Sequence, residues 1–355
     1  MSATFGRKLQ VTIFGESHSA AVGVVIDGLP AGMKIDEEKI AQAMSRRAPN
    51  ASVASTQRKE ADKAEILSGY FNGKATGTPL SAVIRNNDVR SSDYDKTAEL
   101  LRPGHADFTG RVKYNGANDF RGGGHFSGRL TAPIVFAGSI ARQLLSENGV
   151  TVGARIKSIA DAADDTPCTM EALAQAEGHP FAALAKKNAE EIIRAAHNDG
   201  DSVGGVIECM ICGVKAGIGE PFFNSVESRM AHMMFSIPAV KGIEFGAGFA
   251  ITEMRGSEAN DAPLIRDGKI CFATNNNGGI VGGITTGMPI VFRVAIKPTP
   301  SIAKEQRTVN IKTMQEEALS ICGRHDACIV PRALEVVKSA AALVAADLWL
   351  EVQHG

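Results

Sequence analysis

The chain has 355 residues, 44% of them apolar, enough for a sizeable core, and at roughly 150 residues per domain its length alone suggests two domains. Its 38 basic and 39 acidic residues give a formal net charge of −1, which excludes holding nucleic acid or an anionic membrane by bulk charge. An anionic ligand must therefore be met by local arginines.

The first nine residues are polar and lack the apolar stretch of a signal peptide, so a cytoplasmic location is expected. Residues 10–14 and 22–27 read as strands, and Gly28-Leu-Pro-Ala-Gly32 as a turn. Residues 36–44 read as a helix with Asp36 as N-cap. A strand over 80–85 follows the turn Thr76-Gly-Thr-Pro79. Helical apolar spacing runs over 131–148 and stops at Gly149, and shorter helices are expected over 171–178 and 183–196. Residues 206–212 form a strand pattern, and another follows Thr286-Gly-Met-Pro289 through Ile296. The apolar stretch 333–350 carries Glu335, Lys338 and Asp347, which mark a packed helix rather than a membrane span. The six cysteines are sparse and scattered, as for reduced thiols. Cys209 and Cys212 form a C-x-x-C with no second pair, so buried structural thiols are expected and no metal. Helices and strands interleave without a β-α-β repeat, which points to a mixed α+β architecture. Two echoes suggest an internal duplication: the Thr-Gly-x-Pro turns at 76 and 286, and Val22-Gly-Val-Val-Ile against Val203-Gly-Gly-Val-Ile.

Four segments are too polar for core and too rich in glycine for regular structure. Phe14-Gly-Glu-Ser-His18 places a histidine just past a strand end, and Arg102-Pro-Gly-His105 places another behind a forced turn. Each is either a hydrogen-bonded turn histidine or an acid–base group, since imidazole changes charge near neutral pH. Arg121-Gly-Gly-Gly-His-Phe-Ser-Gly-Arg129 runs into the helix at Thr131. Three glycines are entropically costly, and before a helix N-terminus they let backbone N–H groups approach an anion. Gly323-Arg-His-Asp326, followed by Arg332 at the last helix, is either a surface ion-pair turn or a site. Lys297-Pro-Thr-Pro-Ser301 adds a cation and two hydroxyls at a strand end.

These segments, together with Arg46-Arg47, Thr56-Gln-Arg-Lys-Glu60, Ile66-Leu-Ser-Gly69, Arg90-Ser-Ser-Asp-Tyr94, Asp201-Ser-Val-Gly-Gly205 and Ala239-Val-Lys-Gly242, resemble in their order the chorismate synthase family. The resemblance runs from about Phe5 to the last helix. It implies a single domain over 1–355, of α+β class, with helices sandwiched between antiparallel sheets. It implies a 1,4-anti elimination of phosphate from 5-enolpyruvylshikimate 3-phosphate that requires reduced FMN without net redox change. NADPH is one source of reductant, and a homotetramer the usual assembly. His18 resembles the histidine that meets the departing phosphate, His105 the one beside the reduced flavin ring, and Asp326 the aspartate that helps take the C6 proton. Arg46, Arg47, Arg129 and Arg332 match substrate arginines, whose planar forks suit two carboxylates and a phosphate. Flavin contacts carry over onto His125, Phe126, Ser127, Pro238, Ala239, Gly282, Lys297, Pro298, Thr299, Pro300, Ser301 and Arg324. The sequence departs from the family pattern at Ser19, Ala48, Asn50, His125 and a one-residue insertion at Asn115; Ala48 and His125 each remove a fixed positive charge. The rival readings are an FMN-dependent reductase and a flavin-storage protein; storage needs no acid–base set.

Overall fold

The computed structural model describes residues 3–48, 62–86, 99–321 and 326–353. Two five-stranded antiparallel sheets form its outer layers. The first joins, in spatial order, β1 (Thr4–Phe5), β2 (Gln10–Gly15), β3 (Ala21–Asp27), β5 (Leu80–Arg85) and β4 (Ala64–Ser68). The second joins β7 (Ala162–Ala163), β6 (Thr151–Ile159), β8 (Gly205–Cys212), β10 (Ile290–Ile296) and β9 (Val240–Phe245). Alternation sets their inner faces: Val22, Val24 and Ile26 of β3 pair with Leu80, Ala82 and Ile84 of β5, all buried. Ile207, Cys209 and Ile211 do the same in the second sheet, so Cys209 is core, as expected, whereas Cys212 at the strand end is only partly buried. Among the described residues no cluster of three or more His, Cys, Asp or Glu is placed to hold a metal ion, and no helix is long and apolar enough to cross a membrane.

Between the sheets lie the helices. Asp36 caps α1 (Glu37–Arg47), its carboxylate accepting from Glu38 and Lys39 N–H. The short α2 (Asp107–Lys113) follows His105, and α3 (Thr131–Glu147) packs on the first sheet. α4 (Met170–Gly178) and α5 (Ala189–Asn198) cross the outside, α6 (Val226–Phe235) flanks β9, and α7 (Val330–Gln353) packs on the second sheet. α3 and α7 meet closely where Gly138 faces Ser339; a Cβ on Gly138 would sit 2.4 Å from the Ser339 Cβ. The first turns of both helices reach Arg47, and Leu145 and Ala345 line one small apolar cavity at their other ends. The two long helices therefore run side by side in the same sense. One continuous core holds side chains from Leu9 to Leu350.

The fold expected from the sequence is the fold observed, with one difference in the helices. The helix expected over 183–196 is broken at Asn188, which adopts φ 55° and separates a short turn, Ala182–Lys187, from α5. Asparagine is among the few residues that accept this left-handed conformation.

The internal echo corresponds to a repeated plan. β2–β3–α1–β4–β5 and β6–β8–α6–β9–β10 give the same strand order. In each half a small hairpin, Tyr70–Phe71 with Lys74–Ala75 or Ile280–Val281 with Ile284–Thr285, precedes the Thr-Gly-x-Pro turn. In each half a long central helix, α3 or α7, then follows.

Candidate active site

The loop after β2 and the glycine triplet fold onto each other. Ser17 N–H donates to Gly124 O at 3.1 Å, and His125 Nδ1 lies 2.9 Å from Gly15 O. Gly122 has φ 60°, and a Cβ there would lie 2.2 Å from the His18 Cε1, so only glycine lets this loop close over the imidazole. Ser19, in place of the family's glycine, closes the turn by donating to Glu16 O and Ala21 O. Arg121 donates to Asp119 and holds its carboxyl below the usual range, with a smaller contribution from His18.

His105 rises from a turn pinned by Arg102, which grips Asp107 through Nε and Nη2 at 2.8 and 2.7 Å. Burial pushes the Asp107 carboxyl up, but these bonds outweigh it and leave it below its ordinary value. His105 Nε2 is 2.7 Å from Ser301 Oγ, and the Lys297 ammonium donates to Gly104 O at 2.7 Å. Burial, with Lys241 nearby, lowers the Lys297 pKa. Lys297 N–H donates to Ala239 O, which brings the Pro238-Ala239 turn to the same strand end. Thr299 Oγ1 is buried without a hydrogen-bond partner among the described residues.

Three arginines converge at the first turns of α3 and α7. Arg47 ends α1 and donates to Thr131 Oγ1, Gly128 O and the Asp62 carboxylate. Arg129 donates to the other oxygen of Asp62, to Asn86 Oδ1 and to Arg85 O. Arg332 donates to Arg47 O at 3.1 Å and to Asp326 at 2.6 Å. Burial lowers the Arg47 pKa to about 10; Asp62 offsets part of this, while Arg332 and Arg129 add to it. Among the described residues three guanidinium groups thus share two carboxylates, beside the first turns of two helices.

These groups form a closed circuit of contacts. Asn86 Nδ2 donates to Glu16 O and Ser19 O, tying the His18 loop to Arg129. Val203 N–H donates to Ala327 O beside Asp326, and Ser202 Oγ donates to Thr299 O, two residues from His105's partner Ser301. The Phe126 ring packs on Tyr114 and on Gly110 of α2, returning to the glycine loop. His18, His105, Asp326, Arg47, Arg129, Arg332, Phe126, Ser127 and the 297–301 segment all belong to this circuit.

Two candidates do not join it. Arg46 points one turn further along α7, to Glu335 at 2.9 Å, within an interhelical cluster that includes Arg142 and Lys338. Gly282 lies in the hairpin before β10, at the opposite end of that strand from Lys297, about 20 Å away at 3.3 Å per residue. Arg324, with the rest of 322–325, lies outside the described residues, as do Thr56 to Glu60 and Arg90 to Tyr94. Asp326 is not on a surface turn: it is buried against Arg332. Asn115 takes φ 53° and Gly116 φ 75° just past α2, so the extra residue is absorbed in a left-handed helix end. His125 serves to clasp the β2 loop. Asp62 and Asn86 went unread in the sequence; the one signal for Asp62 is that clustered arginines need an internal counter-charge.

Comparison with known proteins bears on this geometry. The family described as Chorismate synthase matches residues 9–350. The chain is similar to the chorismate synthase of Archaeoglobus fulgidus, 50% identical over 350 residues, covering 98% of this chain and 97% of that protein. It is 48% identical over 353 residues to that of Dehalococcoides mccartyi, covering 99% and 97%. A crystal structure of chorismate synthase superposes with a TM-score of 0.77 at 30% identity, covering 99% of this chain and 94% of that one.

Proposed function

The chain belongs to the chorismate synthase family, the lyases of the last shikimate-pathway step to chorismate, and we propose that the circuit described above is its active site. The observation that carries this reading is the convergence of Arg47, Arg129 and Arg332 on the first turns of α3 and α7, linked by hydrogen bonds to both histidine loops and to Asp326. The substrate, 5-enolpyruvylshikimate 3-phosphate, brings two carboxylates and a phosphate. Three planar cations and two helix N-termini suit that charge, and their fixed hydrogen bonds set its orientation. His18, enclosed by the glycine loop, is our candidate for donating a proton to the departing phosphate oxygen. Asp326 is our candidate for taking the C6 proton, its carboxylate held in place by Arg332 at 2.6 Å.

Reduced FMN, when bound, supplies transient electron density that lets phosphate leave without net redox change. The residues around His105 fit such a group by their donor set: an imidazole, the Lys297 ammonium, the hydroxyl of Ser301, and the buried hydroxyl of Thr299, which has no partner among the described residues. His105 would hold negative charge on the ring, and the exposed Phe126 face would shield it from water. We read residues 1–355 as one domain, working in the cytoplasm as a homotetramer; the exposed Phe222, Phe223 and Phe249 offer apolar surface for such assembly.

The test is an anaerobic assay of protein, substrate and FMN with dithionite or NADPH as alternative reductants. Chorismate and phosphate should form in equal amounts over many turnovers from one reduction. Oxidation of one flavin per product would instead identify an FMN-dependent reductase. Activity with dithionite alone would place the source of electrons outside this chain.

A further inference from the structure

Asp62 has no part in the reaction as assigned above, yet both substrate-site arginines of the first half depend on it. Its side chain is fully enclosed, with one carboxylate oxygen accepting Nη1 of Arg47 and the other Nη1 of Arg129. One rigid planar group therefore sets the separation and mutual angle of two guanidinium forks. The remaining edges are also engaged: Arg47 Nε and Nη2 on Thr131 and Gly128, Arg129 Nε and Nη2 on Asn86 and Arg85. We propose that Asp62 is a positioning residue for the reaction, presetting Arg47 and Arg129 as a single anion clamp.

The inference rests on the reading of these arginines as substrate ligands. Charge supports it. Burial disfavours the Arg47 cation, and Arg129 and Arg332 repel it, so a carboxylate is needed to keep three cations together before substrate arrives. A neutral acceptor could fill the same space but would neither hold both forks as strongly nor offset their repulsion. Misplacement of a substrate-holding group by about 1 Å can cost ~10²-fold in rate.

The experiment compares Asp62→Asn and Asp62→Glu with the parent, measuring kcat and KM for 5-enolpyruvylshikimate 3-phosphate at saturating reduced FMN, the FMN dissociation constant and the unfolding midpoint. Asp62→Asn should lower kcat/KM by at least ~100-fold while FMN affinity stays within about threefold, and Asp62→Glu, which keeps the charge but shifts it, should recover ~10-fold of that loss and remain below the parent. A lower unfolding midpoint with kcat/KM within about threefold of the parent would make Asp62 a structural staple and overturn the proposal. Should Asp62→Asn not fold, Asp62→Glu decides alone: reduced kcat/KM with parental FMN affinity supports positioning, and parental kinetics overturn it. A parent that makes no chorismate under these conditions would instead overturn the functional reading, and this proposal with it.

Discussion

His18 and His105 enter the circuit by different means, and those means say what their loss would do. Gly122 closes over the His18 ring, while His105 is held at its tip by Ser301. Both imidazoles sit on polar loops outside the apolar core, so removing either should spare the fold. His18→Ala and His105→Ala should each lower turnover by ~10²–10⁴, the range for one acid–base group, with FMN still bound. Near-parental turnover in both would return them to the role of turn residues. Asp326 allows a sharper test. Asp326→Asn keeps its shape and a hydrogen bond for Arg332 but cannot take a proton. It should bind FMN and substrate, turn over ~10²–10⁴-fold more slowly, and show a larger isotope effect with deuterium at C6 than the parent. Full turnover, or failure through lost flavin binding alone, would remove it from the proton path. The histidines, Asp326 and Arg332 stand out in the sequence as candidates because glycine and proline beside charged groups mark loops rather than core. Asp62 was not: a single acid in a polar stretch reads as solvated, and burial alone distinguishes it. Arg46 and Arg47 could not be told apart in the sequence, since adjacent helical positions diverge by about 100°, and only packing shows that Arg47 joins Asp62 while Arg46 meets Glu335.

At the scale of elements, periodicity and capping identified most helices and strands. Asp36 behaves as the N-cap it was read to be, and β5 spans the residues expected. What patterns could not show is how elements are anchored to each other. Asp347, read only as a charge excluding a membrane span, lies fully buried on α7 and accepts from the backbone N–H groups of Arg7, Lys8 and Leu9 and from Arg229. It fixes the turn between β1 and β2 to the last helix, more than 300 residues later. Asp347→Ala would leave the Arg7, Lys8 and Leu9 N–H groups without their acceptor and the buried Arg229 guanidinium with Glu351 alone. Breaking such an arrangement costs on the order of 3–5 kcal/mol. The urea midpoint should fall accordingly with the m-value unchanged, while kcat and KM of the folded protein stay near parental, because this anchor contacts none of the circuit. A midpoint within experimental error of the parent would show that water replaces these bonds without cost.

For the whole molecule, two topologically alike halves each supply part of the proposed site. The first brings His18, Arg47, Asp62, Asn86 and Arg129, and the second Lys297, Ser301, Asp326 and Arg332. The duplicated turns Thr76-Gly-Thr-Pro79 and Thr286-Gly-Met-Pro289 made the repeat visible in sequence, but the long insertions between the second half's strands hid its extent. The meeting of the halves also concentrates charge. With a net charge of −1 the molecule has almost no long-range field to attract an anionic substrate. Around the circuit, by contrast, three guanidinium groups face two carboxylates among the described residues, and two helix N-termini add about half a charge each. Attraction of the substrate is therefore a local effect, felt over roughly a Debye length, ~10 Å at 0.1 M salt. Raising ionic strength from about 0.02 to 0.3 M shortens that length severalfold, so kcat/KM should fall by ~3–10-fold. The loss should appear in KM, because the enclosed arginine pairs that orient bound substrate are poorly screened, and kcat should change little. Stopped-flow or steady-state rates across a potassium chloride series, with FMN kept reduced and saturating, would measure both. A kcat/KM independent of salt would mean that the arginines are fully neutralised before substrate arrives. A fall in kcat with constant KM would place the salt-sensitive step after binding.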